Sequence, residues 1–312
     1  MKTSLIISLL CLALVLFSSC KKEDLDIACN ENSFTVDQNK IDRKVLVIGI
    51  DGFRSDVMNA NRSPFLYSYS QDPGTYFTGK NIVEYLTLSG PNWTSLLTGA
   101  HWEKHMVEDN FFSFYNVEDY PPFFHYIEEA KSSINTVSLC HWLPINSSVN
   151  QDFTDYSPIS LFSDSAIYAD GLSLVEQNYS VDGDIIFLHF DDLDHFGHLN
   201  GFHDTIPEYA QAVTTMDGYA MGLVNAVDAR RALGEDWIIF IVSDHGGINR
   251  GHTGLPNEPA VNQTIFYANH PSETFLSNYI SSQTDLAPSI LDFLGIQNEA
   301  FECAKDGQSI LN

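Results

Sequence analysis

The stretch DIIFLHFDDLDHFGHLNG, residues 184–201, joins an apolar run to a group of carboxylates and imidazoles. The run from Ile185 to Phe190 predicts a strand buried on both faces, as strands of parallel sheets are. Asp194 and His198 follow four residues apart, a spacing that one helical turn or a tight loop can bring onto a single cation. Alone the pattern is weak, because a solvated aspartate and a surface histidine after a core strand would look the same.

The same order of apolar strand and polar residue occurs twice more. KVLVIGIDGFRSD, residues 44–56, places Asp51 at the end of a predicted strand, and WIIFIVSDHGG, residues 237–247, places Asp244 and His245 there. Ligands gather at the carboxyl ends of strands in open α/β sheets. These polar residues are therefore candidates for one common site.

Helix-like segments alternate with these strands. Apolar residues at helical spacing predict a crossover helix from Pro207 to about Leu233. QTIFYAN, residues 263–269, predicts a further strand, and TDLAPSILDFLGI, residues 284–296, a final helix. This alternation predicts an α/β fold, a three-layer α/β/α sandwich with a central, mostly parallel sheet.

Two further polar residues lie in loops. Ser89 precedes Pro91 and a short helical stretch, so it would lie at a helix N-terminus, where free N–H groups favour an anion. A simple N-cap is the alternative. His252 lies in the glycine-flanked loop INRGHTG, residues 248–254.

Together these residues form a set of nitrogen and oxygen ligands without a nearby cysteine. Such a set suits two metal ions of borderline hardness, bridged by a substrate oxygen. Zinc, manganese and iron would all accept such ligands. The members are Asp51, Ser89, Asp194, His198, Asp244, His245 and His252.

The charge of the chain restricts its partners. With 15 basic and 41 acidic side chains, the 312 residues carry a formal net charge of −26. Such a chain repels nucleic-acid polymers and anionic membrane surfaces. A phosphate-bearing substrate would need a local positive centre, which bound metal would supply.

The N-terminus predicts export. Residues 1–19 resemble a lipoprotein signal peptide, and LFSSC places Cys20 where a lipid anchor would be attached; an ordinary secretory signal is the alternative. We predict an acidic tether over residues 20–43 and one catalytic domain over residues 44–312. The protein would then be an exported bacterial lipoprotein, at the outer membrane, the cell surface or the periplasmic face.

Three cysteines remain after residue 20. Cys29 and Cys303 flank the domain, so that a bridge between them is possible in an oxidising compartment. Cys140 follows an apolar run and is predicted to be a buried free thiol rather than a nucleophile.

The ordered motifs resemble the alkaline phosphatase superfamily, and within it the type I phosphodiesterase/nucleotide pyrophosphatase branch. The likeness extends from Lys44 to Ile296. Its motifs are IDGFR (50–54), SGPNWTSLLTG (89–99), DHFGH (194–198), SDHGG (243–247), GHTG (251–254) and TDLAPSILDFLGI (284–296).

The resemblance implies a role for each site residue. Asp194, His198 and His252 would hold one zinc ion. The other zinc ion would be held by Asp51, Asp244 and His245, and would stabilise the alkoxide of Ser89. Ser89 would be the nucleophile of an in-line displacement through a phospho-serine. Asn110, in HMVEDN, would hydrogen-bond a phosphoryl oxygen.

Two departures from the family pattern bear on the substrate. Gly90 replaces the aromatic residue that stacks on a nucleotide base, although Trp93 could supply another substrate-binding wall. Other aromatic residues could join that wall, and core packing is the alternative for all of them; these are Phe111, Phe112 and Tyr115. Trp93 also stands where formylglycine sulfatases need an arginine, which argues against a sulfatase.

The scarcity of basic residues near the motifs bears on the ester class. Arg54 and Lys104 lie close in sequence, and neither matches the phosphate-clamping arginine of monoesterases, which favours a diester. The predicted function is thus a metal-dependent phosphodiesterase acting on a small phosphate ester. Phosphomonoester hydrolysis, hydrolysis of phosphoethanolamine head groups on lipids or glycans, and a non-enzymatic binding lipoprotein are the alternatives. His195 is expected to face the substrate or to support the ligands.

Overall fold

The computed structural model describes residues 33–160 and 163–312, which form a mixed α/β structure. Within these ranges a six-stranded sheet has the order β3-β7-β6-β2-β5-β4, and β1 and β8 form a separate antiparallel pair. The strands are β1 (Phe34–Val36), β2 (Lys44–Ile50), β3 (Thr75–Ile82), β4 (Thr136–Cys140), β5 (Ile185–Phe190), β6 (Trp237–Val242), β7 (Gln263–Asn269) and β8 (Ile296–Asn298).

Helices connect these strands, and the longest one confirms the predicted crossover helix. The α-helices are α1 (Pro64–Tyr69), α2 (Ser89–Thr98), α3 (Trp102–His105), α4 (Phe123–Ala130), α5 (Asp164–Val175), α6 (Asp192–Asn200), α7 (Pro207–Arg231), α8 (Pro259–Asn262), α9 (Leu286–Phe293) and α10 (Glu299–Ala304).

The predicted strands form the centre of the sheet because their apolar runs are buried on both faces. β2 pairs in parallel with β5 and with β6, so that Val45 lies opposite both Ile185 and Ile238. β4 adds a fourth parallel strand beside β5. The carboxyl ends of four strands therefore meet at one edge, where the polar residues that follow them are brought together.

Alternate residues of β2 enter two separate cores. Val45 and Val47 pack in the cluster that contains side chains of α2, α4 and α9. Leu46 and Ile48 pack in the cluster that contains side chains of α1, α5 and α7. Helices thus cover both faces of the sheet, and the predicted three-layer sandwich is confirmed.

The outer part of the sheet differs from the simple alternating pattern. β7 runs antiparallel to β6, and β3, which we did not predict, runs antiparallel to β7. An apolar strand carries no sign of its direction, so the sequence of β7 could not reveal this. Residues 59–71, NANRSPFLYSYSQ, contain the six-residue helix α1.

The predicted boundary between tether and domain at residue 44 is wrong for residues 33–43. β1 pairs with β8 in the register Phe34 to Asn298, and Phe34 and Val36 pack against the core. The apolar side chains of this short strand therefore join the folded unit before Lys44.

The signal peptide, Cys20 and Cys29 lie outside the described residues. Cys303 is disulfide-bonded, while the pairing with Cys29 stays a prediction. Cys140 is a buried free thiol, as predicted, and its burial raises its pKa to about 12. None of the described helices is long and apolar enough to span a bilayer.

Candidate functional site

The site lies at the edge of the sheet where the parallel strands end. Asp51 directly follows β2, and Asp244 follows β6 after one residue. The helix α6 begins two residues after β5 and carries Asp194 and His198 on adjacent turns of one face. Gly52, at φ +71°, allows the loop after β2 to pass Asp194, because a Cβ at residue 52 would lie 2.9 Å from the Asp194 backbone.

Asp194, His198 and His252 form the first candidate metal group, with their ligand atoms within 4.8 Å of one another. His198 Nε2 lies 3.1 Å from His252 Nε2 and 3.3 Å from Asp194 Oδ2. His198 Nδ1 donates to the Arg250 carbonyl and His252 Nδ1 to the Thr87 carbonyl. Since carbonyl oxygens only accept, each of these imidazoles, in its neutral form, presents the lone pair of Nε2 to the same space.

Asp51, Asp244 and His245 form the second group. His245 Nε2 lies 3.3 Å from Asp244 Oδ2 and 3.6 Å from Asp51 Oδ1, and all three side chains are buried. His245 Nδ1 donates to the Gly246 carbonyl, so Nε2 is again free to bind a cation.

Each group contains buried carboxylate oxygens that lack a hydrogen-bond partner. These atoms are Asp51 Oδ1, Asp194 Oδ1 and Asp244 Oδ2. A buried oxygen left without a donor is costly, whereas a coordinated cation satisfies it. Three such oxygens facing free imidazole nitrogens fit two divalent cations with mixed nitrogen and oxygen ligands.

Without cations, protons compensate for the crowded carboxylates. Burial, followed by the charges of Asp51 and Asp194, raises the pKa of Asp244 well above its usual value. The hydrogen bond to Asp194 raises the pKa of His198 to about 9. Metal binding therefore has to displace protons and weakens as the pH falls.

Ser89 faces the second group. It is the first residue of α2, and its Oγ lies 3.1 Å from His245 Nε2. A cation held by Asp51, Asp244 and His245 would therefore lie next to the Ser89 hydroxyl. The partial positive charge of a helix N-terminus favours a negatively charged oxygen there.

Asn110 lies beside the nucleophile candidate. Its Oδ1 accepts a 2.8 Å hydrogen bond from the Gly90 N–H, which leaves its Nδ2 group available as a donor toward the cavity. A Cβ at residue 90 would lie 2.3 Å from the Asp109 carbonyl oxygen. Glycine at position 90 is therefore required by the close approach of the 109–110 backbone.

We predicted that Trp93 would bind substrate, and the position of its ring contradicts this prediction. Its ring is fully buried below the site, against Phe187 and His189. Trp93 Nε1 donates to Asp51 Oδ2 at 2.9 Å, and His189 Nε2 lies 3.2 Å from the same oxygen. Both donors thus occupy Oδ2 and turn the other oxygen of Asp51 toward the cation position.

The charge of Asp51 is stabilised by this arrangement. Although burial opposes ionisation, the hydrogen bond from His189 and the charges of His245 and His189 lower the pKa of Asp51 to about 2. His189 was missed in the sequence, because an isolated histidine inside an apolar strand has no local mark of function.

Asp164 fixes the start of α6 and was also missed. It is fully buried, and its carboxylate accepts hydrogen bonds from the N–H groups of Asp191 and Asp192 at 2.9 and 3.0 Å. His141 Nδ1 donates to it at 2.7 Å. This carboxylate is satisfied by three donors, so we assign it a structural role in placing Asp194. His141 directly follows β4. A polar residue directly after an apolar strand is the pattern that identified Asp51, so the sequence could also have revealed His141.

A cavity of about 200 Å³ opens onto the reactive groups. The residues that line it include four of the predicted set and exposed His195, as expected. They are Ser89, Asn110, Trp142, Asp191, Asp194, His195, His198, Leu199 and His252.

No arginine or lysine is among the residues that line this cavity. Arg54 is engaged by Asp56 and by the carbonyl oxygens of Phe202 and Gly247. Lys104 pairs with Asp306 at 2.7 Å. Neither basic side chain is therefore available to clamp a phosphate.

The other aromatic candidates also lie apart from the cavity lining. Phe111 is 86% exposed, whereas Phe112 and Tyr115 pack partly buried against the core. Phe112 reaches the site only indirectly, through a ring contact with Trp142 at a centroid distance of 5.9 Å.

Comparison with known proteins places this site in a family. The model of the type I phosphodiesterase/nucleotide pyrophosphatase family matches residues 45–253. The catalytic subunit of GPI ethanolamine phosphate transferase 3 is 29% identical over 118 residues in Homo sapiens and 28% over 117 in Mus musculus. Each match covers 36% of this chain but only 10% of the relative.

Solved structures share the fold at low sequence identity. Murine ectonucleotide pyrophosphatase/phosphodiesterase 5, in complex with AMP, has 15% identity and a TM-score of 0.65, covering 86% of this chain and 100% of that one. The lipoteichoic acid synthase LtaP of Listeria monocytogenes has 13% identity and a TM-score of 0.59, covering 85% and 76%.

The family model spans most of the chain, including both candidate metal groups and Ser89. Members of this family are metal-dependent, which agrees with the buried oxygens that lack donors. The chain therefore belongs to the type I phosphodiesterase/nucleotide pyrophosphatase family.

Proposed function

We propose that the protein is a phosphodiesterase that uses Ser89 as its nucleophile beside two zinc ions. The observation that carries this proposal is the cluster beside Ser89 Oγ, in which three buried carboxylate oxygens without donors lie among the imidazoles of the two candidate metal groups. When bound, the metal ions would supply positive charge that lowers the pKa of the Ser89 hydroxyl and offsets charge on the phosphoryl oxygens.

The reaction we propose has two displacements. Ser89 Oγ loses its proton and attacks phosphorus, the bond from phosphorus to the leaving oxygen breaks, and the alcohol departs with a proton. Water then attacks phosphorus, the bond to Ser89 Oγ breaks, and the phosphomonoester product leaves. Asn110 Nδ2 would donate to a phosphoryl oxygen, because Gly90 N–H holds the opposite side of the amide.

We expect a preference for diesters over monoesters. A monoester carries one more negative charge, and the cavity lining offers no basic side chain to neutralise it. The zinc-loaded enzyme should hydrolyse bis-p-nitrophenyl phosphate with a kcat/KM at least about tenfold above that for p-nitrophenyl phosphate, the ratio that 1.4 kcal/mol gives. Release of p-nitrophenol measures both rates, and a higher value for the monoester would instead indicate a phosphomonoesterase.

Phosphoethanolamine esters are a second candidate class of substrate. The observation that favours them is the similarity of the chain to ethanolamine phosphate transferases over 118 residues. Hydrolysis of such esters is a special case of the diester reaction proposed above, so the same residues would perform it.

We further propose that the enzyme acts outside the cytoplasm, held by a lipid on Cys20. The support is the sequence alone, with its basic start, short apolar run and small residues before Cys20. Mass spectrometry of the membrane-extracted protein should show an acylated N-terminus at residue 20. The variant Cys20→Ala should lose the acyl mass, and an unmodified Cys20 in the mature wild-type chain would contradict the anchor.

A further inference from the structure

Part of the cavity wall has no role in the reaction described above. Trp142 and Asp191 lie there together with Leu199, on the same cavity as Ser89 and Asn110. Trp142 follows β4 by two residues, and Asp191 directly follows β5. These neighbouring strands therefore bring an indole and a carboxylate to one side of the reactive groups.

The cavity lining gives Asp191 no arginine or lysine partner. Two divalent cations would be offset by the carboxylates of Asp51, Asp194 and Asp244 and by deprotonated Ser89. A phosphodiester then brings one further negative charge and Asp191 a second. The Asp191 carboxylate accepts no hydrogen bond from another described residue, and no arginine or lysine lines the cavity. A substrate with one positive group would offset one of these two negative charges.

The indole of Trp142 is positioned to accompany that carboxylate. Its ring is partly buried and packs on Phe112, while the backbone N–H of Trp142 donates to His189 Nδ1 of the adjacent strand at 3.5 Å. An aromatic face beside a carboxylate is the usual recognition surface for ammonium groups. The volume of about 200 Å³ also fits a small head group better than a nucleotide, since drug-sized ligands occupy about 300–1,000 Å³.

We propose that Trp142 and Asp191 bind a cationic amine, of the ethanolamine or choline class, on the ester arm that stays attached to phosphorus. This inference rests on the proposed phosphodiesterase function. Ser89 Oγ attacks phosphorus, the bond to the other alcohol breaks, and that alcohol leaves with a proton. Water then breaks the bond to Ser89 Oγ, and the phosphorylated amino alcohol is released.

The test compares two esters of the same shape and different charge. These are p-nitrophenyl phosphocholine and p-nitrophenyl 3,3-dimethylbutyl phosphate, in which carbon replaces the quaternary nitrogen. The zinc-loaded wild-type enzyme should show at least about a tenfold higher kcat/KM for the choline ester, within the range that a desolvated cation–π contact gives. Asp191→Asn and Trp142→Leu should each reduce that ratio to below about threefold.

Asp192→Asn is the matched control, because Asp192 is the next carboxylate in the chain and lines a different cavity. It should keep the wild-type ratio. Asp191 also lies within 4.8 Å of ligand atoms of Asp51 and His189. If Asp191→Asn lowers kcat/KM equally for both esters, the carboxylate serves the metal centre and the proposal of an amine site is wrong. A wild-type ratio near one, with the neutral ester hydrolysed, would overturn the amine site but leave the phosphodiesterase standing.

A binding measurement separates this inference from catalysis. Calorimetry on the zinc-loaded variant Ser89→Ala should show phosphocholine binding at least about tenfold more tightly than 3,3-dimethylbutyl phosphate. Equal affinities would overturn the amine site whatever the turnover. Failure of the wild-type enzyme to hydrolyse any diester, with selective binding of phosphocholine intact, would overturn the proposed function alone.

Discussion

Replacing Ser89 with alanine is expected to abolish diester hydrolysis while zinc remains bound. Ser89 Oγ is the hydroxyl that faces His245 Nε2 at 3.1 Å, at the cavity that the first metal group lines. The six nitrogen and oxygen ligands of the two groups are unchanged in this variant. Loss of a nucleophile typically lowers kcat by about 10⁴- to 10⁶-fold, so we expect at least a loss of about 10³-fold for bis-p-nitrophenyl phosphate.

Ser89→Thr is the matched control. It keeps the hydroxyl and adds one methyl group at the start of α2, so it should retain activity within about tenfold of the wild-type enzyme. Zinc content, measured by atomic emission after gel filtration, should stay at two per chain in both variants. Full activity of Ser89→Ala would show that another group attacks phosphorus, and a loss of zinc would show that the hydroxyl is needed to hold the metal.

The sequence was sufficient to locate five of the six candidate ligands for a physical reason; the sixth, His252, lies in a loop. Asp51, Asp244 and His245 directly follow apolar strands, and parallel pairing brings the ends of those strands to one edge. The spacing of Asp194 and His198 is that of one helical turn, and α6 supplies that turn. Local sequence patterns were thus enough to predict these five ligands, because the position of each depends on where its own strand ends or on the turn of its own helix.

Other features depend on contacts between distant segments. Trp93 was predicted to face the substrate, yet its indole points into the core and donates to Asp51, 42 residues earlier. The direction in which a side chain leaves a short buried helix depends on what packs around it, and every residue of α2 is buried. The pairing of β1 with β8 joins segments about 260 residues apart, and three residues carry too little periodicity to predict it.

Removing the charge of Asp244 should have opposite effects on the metal-free fold and on metal binding. Asp244 Oδ1 accepts a hydrogen bond from the Gly52 N–H, whereas Oδ2 is buried without a donor and lies 3.3 Å from His245 Nε2. In Asp244→Asn the amide oxygen still accepts the hydrogen bond from the Gly52 N–H, and the NH₂ group lies against His245 Nε2. A repulsive carboxylate is thereby replaced by a donor.

We therefore expect the metal-free variant to be more stable than the metal-free wild-type protein at pH 8, by about 1–2 kcal/mol. The pKa of Asp244 is raised in the folded state by burial and by the charges of Asp51 and Asp194. The wild-type protein consequently loses stability as the pH rises from about 4 through that raised pKa, and the advantage of the variant should vanish in acid. Urea unfolding after chelation, at both ends of this pH range, measures the difference.

With zinc bound, the wild-type protein should be more stable than Asp244→Asn. At a free zinc concentration 100 times the dissociation constant, each site adds about 2.7 kcal/mol to the wild-type fold. The variant loses the charged oxygen of its second group, so it should bind only one zinc ion tightly and lose at least about 10³-fold in diester hydrolysis. Asp192→Asn, which removes a neighbouring carboxylate outside both proposed ligand sets, should keep two zinc ions and full zinc stabilisation. A metal-free Asp244→Asn protein that is less stable than wild type at pH 8 would mean that Oδ2 has a partner other than a cation, and the second metal site would be wrong.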